Sequence, residues 1–537
     1  MSRSTDRLKR SRIGIAALIV SGGILIPRML GDVREMIFAG FLGADNVTDQ
    51  YVAAFRIPDY ANYLLAGGFL TITFIPIFSK FLADDDEEGG WRGFSSIVRW
   101  LAIGITVLIV VAWIATPWII RTIYPEFTAD QVSTTVRLTR IVLPAQFAFV
   151  VGAMFASVQY AKGVFTIPTL APIIYNIGII AGGVIFAWVT GTPDPEGFVW
   201  GAVAGAFIGN FAIQWWGARR IGMHFDLADG WFPPAVRQYV ALAIPLMIGQ
   251  SVVALDETFM SVFGDLVGDG TQTHLQYARR TMLVPVGIVA QGAAVAAYPF
   301  LSRLFAEGKI RAMHDTVDKA MRWVLVLSIA ATGLLAALAL PVTRALYERF
   351  AFTVSDSSAT AAALFFYALA IPIWSALQIL TRAFYARRAM WTPVIIGTVT
   401  TVVAIPLYFM LTDAFGIRGV AVASVLSLLL YTGTLALVWY QGREGRARLR
   451  QVLGTAGRAI PPTVLGAGAA FLIGWAVMTN VPGQTTIVSI VAILLGTAAF
   501  AGIAFSLGSF LYDILTAAAR RRPPADPGDT DVMELIG

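Results

Sequence analysis

The chain reads as an all-helical, polytopic membrane protein, and three observations predict that class. Of its 537 residues, 57% are apolar and 13% charged, whereas a soluble domain carries about 25% charged residues. Mean hydropathy is +0.71. The apolar residues run continuously over long stretches instead of alternating at every second position, which fits membrane helices and not barrel strands. So little polar surface cannot cover a soluble multidomain enzyme. The absence of cysteine removes disulfides and thiolate metal sites. The histidines at 224, 274 and 314 are too scattered for a metal cluster, and no Walker A loop is present,. The chain is therefore read as a transporter without a cofactor.

A bilayer-crossing helix needs about 20 apolar residues. Fourteen stretches qualify, at about 13–42, 48–81, 97–120, 131–160, 166–190, 197–218, 238–264, 274–303, 318–343, 358–386, 392–412, 417–440, 459–479 and 485–514. Several exceed the minimum, so tilt or kinks are expected. The first is read as a span and not a cleaved signal, because no small-residue cleavage site follows its basic leader, Arg3, Arg7, Lys9, Arg10 and Arg12,. The segment 219–237, with Trp231-Phe232-Pro233-Pro234, reads as interfacial. The run Asp84 to Glu88 reads as a solvated turn, and the tail 517–537 as disordered,.

Orientation follows from the basic residues. Loops on the side of the N-terminus, with the C-terminal tail, hold 28 Lys and Arg, against 4 on the other side (Arg121, Arg344, Arg349 and Arg418). The positive-inside rule then places both termini in the cytoplasm. The basic excess is topology, with anionic lipid headgroups as its partner and no nucleic acid.

The chain also repeats itself. Ile75-Pro76-Ile77-Phe78-Ser79-Lys80 matches Tyr298-Pro299-Phe300-Leu301-Ser302-Arg303 at an offset of 223, and Tyr160-Ala161-Lys162 matches Tyr385-Ala386-Arg387 at 225. Both pairs lie six spans apart, so the halves enter the membrane in the same direction, as a parallel repeat. The expected organisation is a six-helix lobe over 1–222, a second over 223–441, and two extra helices over 442–516. Those last helices are rich in Gly and Ala; they form either a structural add-on or a groove for a lipid tail.

Seven arginines remain inside the spans: Arg28, Arg34, Arg56, Arg137, Arg140, Arg279 and Arg280. Each costs about 2.5–3.5 kcal/mol at a helix centre, so they are expected to face protein or a wet cavity. Arg28 and Asp32 are one helical turn apart. Arg137, Arg140 and Asp59, near span ends, read as internal ion pairs or snorkelling residues. Arg28, Arg34, Arg279 and Arg280 come from corresponding regions of the two halves and can converge. Tandem Arg279-Arg280 has no acid within a turn, so an unpaired positive cavity for a phosphate- or carboxylate-bearing cargo is expected. Clustered helix breakers, Gly31, Gly40, Gly43, Gly67-Gly68 and Pro76 in the first half and Pro285, Gly287 and Gly292 in the second, point to the same spans,.

The stretch Pro27-Arg28-Met29-Leu30-Gly31-Asp32-Val33-Arg34-Glu35, followed by Phe41-Leu42-Gly43-Ala44, Thr48-Asp49 and Ala54-Phe55-Arg56-Ile57-Pro58, resembles the opening of the MurJ/MviN lipid II flippase family. That family belongs to the multidrug/oligosaccharidyl-lipid/polysaccharide exporter superfamily. Tyr277-Ala278-Arg279-Arg280 with Pro285 and Gly287 is similar to its eighth span. The resemblance implies a bacterial inner-membrane flippase for undecaprenyl-pyrophosphate-linked glycopeptide (lipid II), working by alternating access. It implies that Arg28, Arg34, Asp49 and Arg280 matter to cargo; Arg56 and Arg279 complete the expected substrate-binding set. It also favours the lipid-tail groove for the last two helices. Asp256 and Glu257 are the expected ion-coupling pair. The sequence departs at Asn62 and Tyr63, where relatives carry an arginine, and at Arg279 and Leu283, where they carry acids. Sodium-binding relatives use further polar residues that the region from Ala404 to Tyr408 lacks, so a proton gradient or the membrane potential stays open as the coupling source. Competing readings are export of another polyprenyl-pyrophosphate oligosaccharide and a non-transporting homologue.

Overall fold

The computed structural model describes residues 26–65, 69–226 and 230–507. The basic leader, residues 13–25 of the first expected span, Gly67-Gly68 and the tail from 508 onward lie outside the described residues. Helix is the regular structure throughout, and no strand occurs among the described residues.

Among the described residues nine helices are long and apolar enough to cross a membrane, and a tenth counts if Val354–Ala368 and Ala370–Ala386, bent by 46°, form one span. These ten coincide with the expected third to sixth and ninth to fourteenth spans. The other four take different forms. The first is helical over 26–42. The second is interrupted at Phe55, between Asn46–Ala54 and Arg56–Leu65, and is helical again over Phe69–Ala83, with residues 66–68 outside the described residues. The seventh is one helix, Pro234–Asp265, of 32 residues, about 48 Å at 1.5 Å per residue. The eighth runs as Thr271–Val286, a π-helical turn Gly287–Gln291, and Gly292–Ala306. Pro285 and Gly287 stand at that turn, where a missing donor and a missing side chain both loosen the helical ladder.

The helices group into two compact units, each discontinuous in sequence. One comprises Met1–Arg280, Leu346–Ala363 and Arg388–Tyr431; the other Thr281–Ala345, Leu364–Arg387 and Thr432–Gly537. The expected lobe 223–441 contributes residues to both.

In the first unit, short polar side chains start the helices. Asp45 accepts from the backbone N–H of Val47 and Thr48 at 2.9 and 3.1 Å, and Thr128 with Gln131 forms a capping box,. Asp194, followed by Pro195, begins Pro195–Gly205,. That helix lies directly against Thr166–Thr190 along facing glycines. A Cβ on Gly201 would stand 2.3 Å from the Gly178 carbonyl oxygen, and one on Gly182 2.5 Å from the Gly201 Cα. This is the small-residue packing that membrane helices use where lipid removes the hydrophobic drive. Phe38, Leu138, Phe198 and Tyr277 are buried together beside these helices. Outward surfaces carry Trp118 and Trp188, 72% and 84% exposed, which suits a lipid solvent and not water.

In the second unit, Gly442–Asn480 and Thr485–Leu507 pack against each other and on Ile310–Ala337. Leu338, Ala470, Phe500 and Ala504 form their common core. A Cβ on Gly333 would stand 2.4 Å from Thr463 Cγ2. The expected closely packed Gly/Ala helices are therefore present as packing elements.

The paired sequence motifs also share backbone geometry. Tyr160 and Tyr385 are each followed three positions later by a left-handed residue, Gly163 (φ +74°) and Arg388 (φ +59°). Ile75 and Tyr298 are each followed ten positions later by another, Asp85 (φ +54°) and Gly308 (φ +70°). Each motif ends its helix in the same way, although two of the four left-handed positions carry side chains that disfavour that conformation.

A buried ionic cluster as the candidate substrate site

The charges expected to face protein are gathered in the first unit. Glu35, on the helix over 26–42, is 8% exposed. Its Oε1 accepts from Arg34 Nη2 at 2.6 Å and Arg34 Nε at 3.1 Å, and also from Arg280 Nη1. The Arg34 Nη1 group donates to Asn176 Oδ1 at 3.0 Å. Asn176 is itself fixed by donating to the Pro172 carbonyl at 2.8 Å. An amide in the middle of an apolar helix thus completes the shell of an arginine.

A second carboxylate bridges the other two arginines. Glu257 Oε2 lies 3.7 Å from Arg56 Nη1, and its Oε1 lies 3.7 Å from Arg279 Nη2. Arg56 Nη2 also donates to Gln276 Oε1 at 3.4 Å. Beside this pair the Tyr60 and Thr258 hydroxyls are 2.5 Å apart, and Tyr124 meets Ser261 at 2.8 Å. Asp59 lies within electrostatic reach of Arg34, Arg56 and Arg280, and Asp32 within reach of Arg28, Arg34 and Arg280. Of the two readings open to Asp59, internal ion pairing or snorkelling, its place beside these arginines fits the first.

Five arginines (28, 34, 56, 279 and 280) face four carboxylates (32, 35, 59 and 257), so one positive charge is in excess if all are ionised. Within the cluster Arg280 is the most open of the ion-paired arginines, with 38% of its side chain exposed against 16% for Arg34, 7% for Arg56 and 5% for Arg279. The expectation that tandem Arg279-Arg280 is unpaired needs correction. Neighbouring residues on a helix point about 100° apart, so each meets a carboxylate from a different helix. Sequence neighbours report only partners on the same helix.

Asp49 takes a different place. It is 2% exposed and accepts from Gly270 N at 2.6 Å, Thr273 N at 2.9 Å and Thr273 Oγ1 at 2.6 Å. A carboxylate there satisfies orphan donors at the start of Thr271–Val286 and complements its dipole. In this conformation Asp49 anchors the helix that carries Arg279 and Arg280. Gly270 is left-handed (φ +78°), and a Cβ on it would stand 2.5 Å from the Ala44 carbonyl oxygen. The side chain of Asp256 lies outside the described residues; its neighbour Glu257 is the acid found between two arginines. Arg137 pairs with Glu196 at 3.0 Å, and Arg140 packs over Trp113, as span-end residues are expected to.

Sequence reasoning passed over Asn176, Gln276 and the bridging role of Glu35. Asn176 carried a usable signal, a lone amide in an apolar helix. Gln276 carried none beyond its nearness to Arg279. Among the described residues no group of three His, Asp or Glu could hold a metal ion.

A polytopic helical protein that gathers arginines and carboxylates inside its helix bundle belongs to the class of membrane transporters. Residues 38–499 match the family described as "Lipid II flippase MurJ", and the chain belongs to that family. Its members are lipid flippases, transporters and not enzymes, serving peptidoglycan synthesis. The chain is 26% identical over 533 residues to a "Probable lipid II flippase MurJ" of Rhizobium tropici, covering 96% of this chain and 98% of that one. It is 24% identical over 444 residues to "Lipid II flippase MurJ" of Burkholderia cenocepacia, covering 81% and 86%. Its fold is similar to a solved lipid II flippase MurJ in an inward closed conformation, with TM-score 0.74 at 20% identity, over 93% of this chain and 100% of that one. An inward-facing multidrug resistance MATE family transporter of the MOP superfamily follows at TM-score 0.67 and 15% identity, covering 82% and 99%.

Proposed function

We propose that this chain moves lipid II across the bacterial cytoplasmic membrane by alternating access, with the arginine cluster as the site for its pyrophosphate. Family membership supports the cargo. The observation that carries the site is Glu35 held between Arg34 and Arg280. A pyrophosphate offers the same bidentate acceptors as a carboxylate, with more charge. Arriving at exposed Arg280, it competes with Glu35 for both guanidinium groups. Bound cargo and empty site then differ in which ion pairs exist, which is the differential interaction a two-state transporter requires.

The finer architecture belongs to the same reading: fourteen spans, a parallel repeat of six and six, and both termini in the cytoplasm. The shared left-handed positions after the paired motifs support the repeat. Coupling is assigned to the membrane potential or an ion gradient, without a cofactor; the region from Ala404 to Tyr408 lacks the polar residues that argue for sodium. Asp256 and Glu257 are assigned as the coupling acids. The partners are lipid II and membrane lipids.

Complementation of a bacterium depleted of its own flippase tests this. The wild-type chain rescues growth, and Arg34→Ala and Arg280→Ala do not, although both proteins are present and folded in the membrane. Arg280→Lys, which keeps the charge and loses the bidentate fork, rescues in part. Full rescue by both alanine variants overturns the site. Failure of the wild type to rescue, with transport of another polyprenyl-pyrophosphate glycan, moves the cargo assignment to that class.

A further inference from the structure

A second cationic site lies in the first unit and shares no residue with the cluster around Glu35 and Glu257. The helices Glu87–Ile123, Ala129–Val142 and Pro195–Gly205 border a groove of about 720 Å³. Three arginines, Arg121, Arg137 and Arg140, and two tryptophans, Trp113 and Trp200, line it. Arg121 is in the last turn of its helix, and Trp113 is about 12 Å deeper at 1.5 Å per residue. Arg140 reaches the level of Trp113: its guanidinium carbon stands 4.1 Å from that ring centroid, and its Nε donates to the Trp113 carbonyl at 3.1 Å. The arginines thus form a ladder from the mouth of the groove inward.

This arrangement is unbalanced. Arg137 has Glu196 at 3.0 Å, whereas Arg121 and Arg140 have no carboxylate partner among the described residues. For Arg140, which lies deeper than Arg121 at the helix end, the absence of an acid is unfavourable unless water or an anion meets it. Trp113 and Trp200 are 45% and 52% exposed, the placement of an interfacial aromatic belt. Val132, Val136 and Val203 give the groove apolar walls. The site therefore joins an anion-binding ladder to a surface for hydrocarbon, at the depth where phosphate and acyl chain meet.

We propose that this groove binds an anionic phospholipid, its phosphate between Arg121 and Arg140 and an acyl chain along the valine wall. Charge complementarity selects the anionic headgroup, and cation–π stacking on Trp113 holds Arg140 in place for it. The orientation drawn from the basic loops places the groove in the outer leaflet, which carries few other basic residues of this chain.

Native mass spectrometry of the full-length protein, extracted from vesicles of phosphatidylglycerol or of phosphatidylcholine, tests the proposal. Wild type retains at least one more phosphatidylglycerol than the Arg121→Gln/Arg140→Gln variant. Its apparent affinity for that lipid falls about fivefold for each arginine removed. Arg140→Lys, which keeps the charge, retains most of the binding. A thermal melt on each variant separates loss of lipid from loss of fold, and Trp113→Phe provides a second, milder variant expected to weaken retention. Equal retention of the two lipids by wild type, or undiminished phosphatidylglycerol on the folded double variant, overturns the proposal. Displacement by millimolar inorganic phosphate, without dependence on the acyl chain, overturns the assignment to lipid.

Discussion

Replacing Asp49 separates two roles that its position allows, anchor of a helix and ligand of the cargo. In the structure its carboxylate accepts three hydrogen bonds, two from backbone N–H groups and one from the Thr273 hydroxyl. Hydrogen bonds to a charged group contribute about 1.5–3 kcal/mol each, but removing one partner of a buried charged arrangement costs about 3–5 kcal/mol in total. The three bonds are therefore not summed. Asp49→Ala strands the N–H groups of Gly270 and Thr273, and about 3 kcal/mol is expected. Asp49→Asn keeps one acceptor oxygen for Thr273 but turns an NH2 group toward Gly270 N, so about 1–2 kcal/mol is expected. Thermal unfolding in detergent reads these as a fall of about 2 °C per kcal/mol for a large domain. The midpoints should rank wild type, Asn, Ala. A double-mutant cycle with Thr273→Ala should show coupling of at least about 0.5 kcal/mol. Flipping activity should track the melting order, because the helix that loses its anchor carries Arg279 and Arg280. An Asp49→Ala protein that melts with the wild type yet fails to transport refutes the anchoring argument and returns Asp49 to direct contact with cargo.

Two further outcomes follow from packing and charge. Gly201→Ala drives its new methyl against the Gly178 carbonyl, 2.3 Å from the built Cβ, and should cost about 1–3 kcal/mol,. Gly104→Ala, with nothing within 4 Å, should be neutral or gain up to about 1 kcal/mol from helix propensity; equal melting points for the two variants contradict the close-packing argument. His224 donates toward the Gly222 carbonyl at 3.1 Å and Glu88 Oε2 at 3.0 Å, and these two acceptors, Gly222 first, raise its pKa above 6.5. Both contacts need the imidazolium, so the docking of this turn is fully present below pH 6.5 and is lost as pH rises through the raised value. Hydrogen-exchange protection factors at residues 222–226, taken relative to intrinsic rates at each pH, should fall over that window in the wild type and stay flat in His224→Ala.

Much of the molecule was legible because lipid restricts what a chain can do. Ten expected spans coincide with helices long and apolar enough to cross a membrane, and the eighth breaks beside its Pro285 and Gly287. The Tyr160 and Tyr385 motifs, matched by residue type alone, end their helices with the same left-handed residue three positions on. The arginines at membrane depth stood out from the same composition, since a charge in an apolar run has few structural reasons to be there. What the sequence did not disclose is pairing. Glu35 is next to Arg34 in the chain but 245 residues from Arg280, and Glu257 bridges Arg56 and Arg279 from another helix.

The sequence by itself determined class, family and the roster of charges, because hydropathy and short motifs are local properties that the bilayer reads one segment at a time. Only the tertiary structure decided which carboxylate neutralises which arginine, and that Asp49 is spent on a helix end. It also decided that Arg121 and Arg140 meet no acid among the described residues. Coulomb energy depends on distance in space and on the water excluded between groups, and neither is written along the chain.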